Sequence, residues 1–379
     1  MKKNFRQHRP LFTPPSSQKP KIKWRILPII WLALKRTAMA LGFLMLINAV
    51  IAVVILSSAR KGAHEVPMLP QKDIVLYMGF EDGFQELPKE ISFLDGFEEP
   101  SLTVNEIVDT LDHAARDPRV TGLVARMRGG SFGLSATQDV RAALKRFREA
   151  GKFAYIYSSS YGDGGGGLGR YYLASAFDEI WMQPLGVVSV AGISAEMPFM
   201  REGLDKLGIR PQFFQRKDYK TAYESLTNKS ISPENKEMTR QLINDIRSVI
   251  LADVPADRGM SPAAFEKLVD KGLLTAKEAQ EAGLVTHVDY GDVLLEKVAE
   301  EVTGEPKAEN LDLVYMEDYR DGIASEIHKG RKGKVALIYA LGAIVPSADG
   351  GGAFDGGSHV AAADEIAPAI LNASRDNKV

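Results

Sequence analysis

The chain has 379 residues, 45% of them hydrophobic and 25% charged, with a formal net charge of −2. That length allows two domains or one large one, and the near-neutral balance removes any bulk electrostatic case for nucleic acid as a partner. Cysteine is absent, which excludes disulfides, thiolate nucleophiles and cysteine-based zinc sites together.

Residues 1–36 hold ten Lys or Arg and no Asp or Glu. They precede TAMALGFLMLINAVIAVVILSS, residues 37–58, an apolar run long enough to cross ~30 Å of hydrocarbon as a helix. Asn48 is its strongly polar exception. The leading flank is far more basic than Arg60 and Lys61 behind it. The positive-inside rule therefore predicts a single-pass inner-membrane anchor, with 1–36 cytoplasmic and the main domain outside. A cleaved signal peptide ending at SSA, 57–59, is the competing reading, but its apolar core would span only roughly 7–15 residues.

Residues 62–72 read as a short linker, and DIVLYMGF (73–80) as a buried strand. Val104, Ile107, Val108 and Leu111 share one face of a helix over 103–116. VTGLVARM (120–127) is a second strand, 135–150 a helix, and FAYIYSS (153–159) a third strand. The alternation predicts an α/β fold with parallel sheets and crossover helices.

YGDGGGGLGRYYLAS (161–175) contains G-x-G-x-x-G at Gly162, Gly164 and Gly167. The following helix is only about two turns long before DEIWMQP reads as a strand, too short for a dinucleotide fold. Two readings remain: backbone amides lining a groove, or a flexible surface loop. In FFQRKDYKTAYESL (213–226) a strand is expected to run into a helix that buries Tyr219, Tyr223 and Leu226. Lys220 then falls in the first turn. There the helix dipole and partial burial would both lower its pKa, as a general base requires. The plainer reading is a surface lysine paired with Glu224 at i,i+4.

Farther on, Ser232-Pro233 and Ser261-Pro262 place a cap before a first-turn proline. Thr275 with Glu278 forms a capping box, and Gly283 is placed to end that helix. Residues 232–301 are expected to be mostly helical, and 322–334 to be a basic linker. KVALIYALGAIV (334–345) then reads as a buried strand, followed by a Gly-rich loop and a terminal helix. The six His are scattered, and neither H-E-x-x-H nor G-x-S-x-G occurs, so no metal and no cofactor are expected.

The last fifteen residues, EIAPAILNASRDNKV (365–379), repeat EIVDTLDHAARDPRV (106–120) at a constant offset of 259. The second copy begins as the first does, with strand, loop and helix. The strand-to-helix turn that follows Val120 in the first copy has no counterpart, since Val379 is the last residue.

These features together resemble the signal peptide peptidases of the protease IV type, in their long form with two tandem crotonase-like (ClpP-like) halves. The landmarks are the N-terminal anchor, RDPRVTGLVARM, GRYYLASAFDEIWMQPLGVVSVAGI, LDKLGIRPQFFQRKDYKTAYES, LTAKEAQEAGLVTHVD and the restart KVALIYALGAIV. The resemblance covers roughly residues 37–379. It implies a Ser–Lys dyad, with Lys220 of YKTAYE as the general base. The family's serine sits in SPGGS of the second half, a string this sequence lacks. Gly133 holds the matching place in the first copy, so the expected nucleophile lies about thirteen residues past Val379.

Ser131 in GGS is a weak substitute, two residues out of register. Ser358 and Ser135 read as helix-start residues. The implied organisation is a cytoplasmic tail (1–36), an anchor (37–58), a first peptidase half (62–320), and a linker with the start of a second half (321–379). Signal-peptide remnants or other apolar peptides, the membrane and further copies in a homo-oligomer are the implied partners. A non-catalytic peptide-binding or assembly half is the alternative, and a crotonase-like acyl-CoA enzyme a remote one.

Overall fold

A computed structural model describes residues 27–61, 68–81, 83–87, 102–130, 132–163, 166–327, 335–347, 360–377 and 379. The chain divides into two compact units, Met1–Glu65 and Val66–Val379.

The described part of the first unit is one helix, α1 (Leu27–Lys61). It runs past both ends of the predicted apolar span. By length and composition it is apolar enough to cross a membrane, with a mean hydropathy of 1.5 over Leu34–Ile51. Its polar side chains turn back on their own backbone. The Asn48 amide donates to the Leu44 carbonyl at 2.9 Å and the Thr37 hydroxyl to that of Leu34 at 3.0 Å. A helix in hydrocarbon must satisfy its polar groups in this way.

Among its described residues the second unit has ten strands: β1 (Ile74–Phe80), β2 (Val120–Met127), β3 (Phe153–Ser158), β4 (Glu179–Met182), β5 (Val187–Ser189), β6 (Leu273–Thr275), β7 (His287–Val288), β8 (Leu313–Tyr315), β9 (Ala343–Val345) and β10 (Val360–Ala362). Six form one sheet in the order β7-β4-β3-β2-β1-β8, every pair parallel. The near-continuous apolar runs of β1 and β2 follow from burial on both faces. On one face Leu76, Met78, Leu123, Ala125, Ile156 and Met182 enter the main core. On the other, Val75, Val124, Tyr155 and Trp181 form a smaller layer. The α/β class with a parallel sheet and crossover helices is the one expected.

Between the strands run α2 (Val104–Ala114), α3 (Leu134–Glu149), α4 (Gly167–Ala174), α5 (Arg201–Lys206), α6 (Glu224–Thr227), α7 (Pro233–Arg258), α8 (Pro262–Lys271), α9 (Ala276–Glu281), α10 (Gly291–Thr303), α11 (Met316–Ile327) and α12 (Ala363–Arg375). The predicted caps are in place. Ser232 accepts from Asn235 N–H and Ser261 from Ala264 N–H, each with Pro at the helix start, while Thr275 and Glu278 close a capping box. A second box, Thr103 with Glu106, starts α2. Gly283 follows α9 at φ +77°, the left-handed geometry glycine adopts freely. α11 extends to Ile327, inside the stretch that composition marks as linker.

The internal repeat is structural as well as sequential. Shifting α2 by 259 positions lands on 363–373, inside α12. A parallel bridge, Gln85 with Thr103, precedes α2, and the parallel pair β9–β10 precedes α12. After α2, Asp117 N–H donates to Ala114 O at 3.2 Å and Val120 N–H to Asp117 O at 3.2 Å. After α12, Asp376 and Val379 make the same two bonds at 3.3 and 3.0 Å.

The first strand of the second copy departs from expectation. Residues 335–342 form no strand, and β9 is confined to Ala343–Val345. Val335 is 95% exposed and Ile344 90%, so the predicted burial is absent. The reason is a lack of neighbours. The equivalent β1 is flanked by β2 and β8, whereas residues 335–342 have no strand beside them among the described residues. The face of α12 that matches the buried face of α2 is likewise open: Leu111 is fully buried, but its counterpart Ile370 is 53% exposed.

Candidate functional site

Two glycine-bearing turns meet at the C-terminal ends of the parallel strands, where α/β proteins commonly place ligands. The first follows β2. Arg128 and Gly129 N–H both donate to Phe80 O, and Gly130 takes φ +89°. Phe80, Phe84 and Phe132 pack edge to face beneath this turn, with centroids 5.0–5.9 Å apart. Gly133 begins α3, where its carbonyl accepts from both the amide and the hydroxyl of Thr137. The second turn runs from Tyr161 into α4. Arg170 of α4 spans the two, donating to Gly130 O at 3.4 Å and to Asp163 O at 3.2 Å.

Glycine is required in the second turn by close approach. A Cβ on Gly167 would stand 2.5 Å from Tyr161 O and would also strike Ser189 O. Thus the Gly-rich stretch is partly a packing device, with backbone wedged against β5. Ser160 contributes to the same seam, its hydroxyl donating to Val187 O at 2.8 Å.

Lys220 lies elsewhere in the chain's course, on a lobe that leaves β5 and returns at α7. No strand runs through residues 213–216, and no helix starts between 213 and Glu224. This overturns the expected strand-into-helix and the buried aromatic face. Tyr219 is 53% and Tyr223 47% exposed, and Lys220 is exposed too. The helix-dipole and burial arguments for Lys220 therefore do not apply. The aromatic spacing misled because these rings pack at the surface of the lobe instead of into the core. Tyr223 stacks on Phe213 at 3.9 Å, and the Tyr219 hydroxyl donates to Glu237 of α7 at 2.9 Å.

The expected Lys220–Glu224 pair does not form either. Glu224 is buried and faces α7, where its Oε2 accepts from the Asn235 amide at 3.0 Å and from Ser232 N–H at 3.2 Å. Burial works against the charged form, but these donors outweigh it and hold the carboxyl below its ordinary pKa. Glu224 N–H in turn donates to Thr221 O at 3.1 Å. The lysine loop is therefore anchored through the glutamate four residues after it, a clamp that the motif's spacing alone did not reveal.

Ser131, Ser358 and Gly164 lie outside the described residues. Ser135 is exposed in the first turn of α3. No hydrogen bond joins Lys220 to either glycine turn, and no cluster of metal-ligating side chains occurs, among the described residues.

Residues 146–304 match Peptidase family S49, a span that takes in the second glycine turn and the whole Lys220 lobe. Over those residues the chain is similar to the S49 peptidases. Its curated relatives include Protease 4 of Haemophilus influenzae, 27% identical over 379 residues, an alignment covering 95% of this chain and 58% of the relative. Serine protease SPPA, chloroplastic, of Arabidopsis thaliana is 29% identical over 249 residues, covering 64% of this chain and 35% of the relative. Protease 4 of Salmonella typhi is 28% identical, covering 75% and 45%. The chain thus spans between about a third and three fifths of these relatives' lengths. Among solved structures, an enoyl-CoA hydratase/carnithine racemase from Magnetospirillum magneticum aligns over 54% of this chain and 65% of that one, at 15% identity and TM-score 0.30. The α/β assignment rests on the strand order itself.

Proposed function

We propose that this chain belongs to a membrane-anchored serine peptidase that works through a Ser–Lys pair, with Lys220 as general base. The observation that carries the reading is the S49 match across the YKTAYE segment. In its neutral form Lys220 Nζ takes the proton of a serine hydroxyl, whose oxygen attacks the scissile carbonyl. The lysine ammonium then gives that proton to the leaving amine, and water releases the acyl group. Backbone amides of the glycine turns are candidates for holding the oxyanion.

The serine is supplied by a residue outside this sequence. This accords with coverage of 58% of the Haemophilus relative and with the exposure of Lys220, which leaves Nζ open to a group brought from elsewhere. Apolar peptides, among them cleaved signal peptides, are the substrate class. Helix α1 would hold the enzyme at the membrane surface where such peptides remain, and assembly with further copies would complete the site.

The test compares this chain with a version continued to its relatives' length. The continued protein is expected to be labelled by a fluorophosphonate and to cleave an apolar peptide. Lys220→Ala should abolish both without changing thermal unfolding. Full activity in that variant eliminates the dyad. Stoichiometric, Lys220-dependent labelling of the present chain overturns the outside nucleophile and makes Ser131 the next residue to test.

A further inference from the structure

On the sheet face opposite the main core, the first turns of α10 and the C-terminal halves of β1, β2 and β3 border a half-open cleft of about 340 Å³. Its walls are Tyr77, Tyr157, Leu294 and Leu295, and its charged groups are Arg126 and Asp292. Tyr77 is fixed by an edge contact with Tyr315 on β8, centroids 5.3 Å apart. Gly291 packs closely under the Tyr157 ring, where a Cβ would stand 3.3 Å away.

Arg126 is out of character for its place. It sits on β2, an interior strand whose other residues are almost all apolar. Three arginines at the ends of this sheet hold carboxylates: Arg119 with Asp117, Arg128 with Glu81, Arg148 with Asp178. Arg126 has no hydrogen-bond or ion-pair partner among the described residues, and neither has Asp292. The two line one cavity, and no ion pair joins them. Arg126 is exposed at the mouth of the cleft, where its guanidinium is free to hold an anion.

We infer that this cavity binds a free aromatic or large apolar α-amino acid, its carboxylate on Arg126, its ammonium on Asp292 and its side chain between Tyr77 and Tyr157. One cation, one anion and an aromatic wall in one small cavity match the three parts of such a zwitterion. The volume suits a single amino acid. The site is separate from Lys220 and stands whether or not the chain is part of a peptidase. If it is, the ligand is an end product of complete peptide breakdown.

The test is calorimetric titration of the full chain in detergent with L-phenylalanine, with N-acetyl-L-phenylalanine and L-phenylalanine amide as controls. The expected result is saturable one-to-one binding of the free amino acid, weakened about tenfold or more in each blocked compound. Arg126→Gln should bind the amino acid and its amide equally. Asp292→Asn should bind the amino acid and its N-acetyl form equally. Both residues are exposed at the rim, so both variants are expected to fold, with circular dichroism as the check. Absence of saturable binding by the unmodified chain overturns the inference. So does binding that is indifferent to the blocking groups, or unchanged in both variants.

Discussion

The Tyr319 hydroxyl donates to Asp117 Oδ2 at 2.8 Å, joining α11 to the turn after α2 across 202 positions of sequence. Arg119 grips the same carboxylate from its own turn, with Nε and Nη2 at 2.7–3.0 Å. Burial alone would raise the Asp117 pKa. The Arg119 and Tyr319 hydrogen bonds and the Arg119 charge reverse that and bring it from 3.8 to about 2. A carboxyl with a depressed native pKa stabilises the fold above its unfolded pKa and loses that contribution as the pH falls through the native one. We expect roughly 2–3 kcal/mol of stability to disappear between about pH 4 and pH 2 on this account. Urea unfolding across that range should show the loss, and Asp117→Asn should flatten it.

Arg141 presents a different balance. Its guanidinium is 3% exposed and donates to Asp257, to Ser175 and to the Tyr172 carbonyl, with its plane 3.9 Å from the Tyr172 ring. Asp257 is 5% exposed, so removing the arginine strands a buried carboxylate that retains Lys145 as a cation. Arg141→Ala is expected to cost about 3–5 kcal/mol. A double change, Arg141→Met with Asp257→Leu, should cost markedly less, because the charges it leaves without these partners, Lys145 and Asp253, are open to water while no buried charge is stranded. Urea midpoints of the two variants give the comparison. Equal losses would mean that packing, not charge, dominates this cluster.

The Glu224 clamp predicts a local effect. Glu224→Ala removes the acceptor shared by Asn235 and Ser232, freeing the lobe from the start of α7. Amide exchange over residues 219–228 should rise by about tenfold or more, while β1 and β2 keep their protection. Asn235→Ala should give a smaller rise, since Ser232 N–H still reaches the carboxylate. Uniform exchange in Glu224→Ala and the unmodified chain would remove the clamp from the account of Lys220.

The orientation of α1 is open to a direct check. With a basic flank before the apolar run, protease added outside the inner membrane is expected to digest the second unit and spare the basic tail. Protection of the second unit would reverse the assignment.

How far the chain could be read from sequence depended on whether a segment finds its partner within it. β2 is bounded as VTGLVARM suggests, because both its faces are buried and its apolar run has no competing period. Ser232, Ser261 and Thr275 cap helices as read, since a cap is satisfied within four residues. The 213–226 stretch failed because aromatic spacing presumes a surface to pack on, and this lobe supplies only Phe213. KVALIYALGAIV failed for the same reason on a larger scale. Arg126 was legible only as a letter inside a strand. That it shares a cleft with Asp292 without pairing to it depends on where Asp292 arrives, 166 positions later.

The parallel pairing of β1 with β8 sets a timetable. Val75 lies opposite Leu313, so one edge of β1 must wait for nearly the whole domain to be synthesised. At roughly 5–20 residues per second, the delay is on the order of 10–50 s. Through that interval β1 presents an unfinished border on the side that β8 will cover. A chain made on this schedule depends on whatever shields that border, and slowing translation between codons 80 and 313 should raise its aggregation more than slowing it after codon 320.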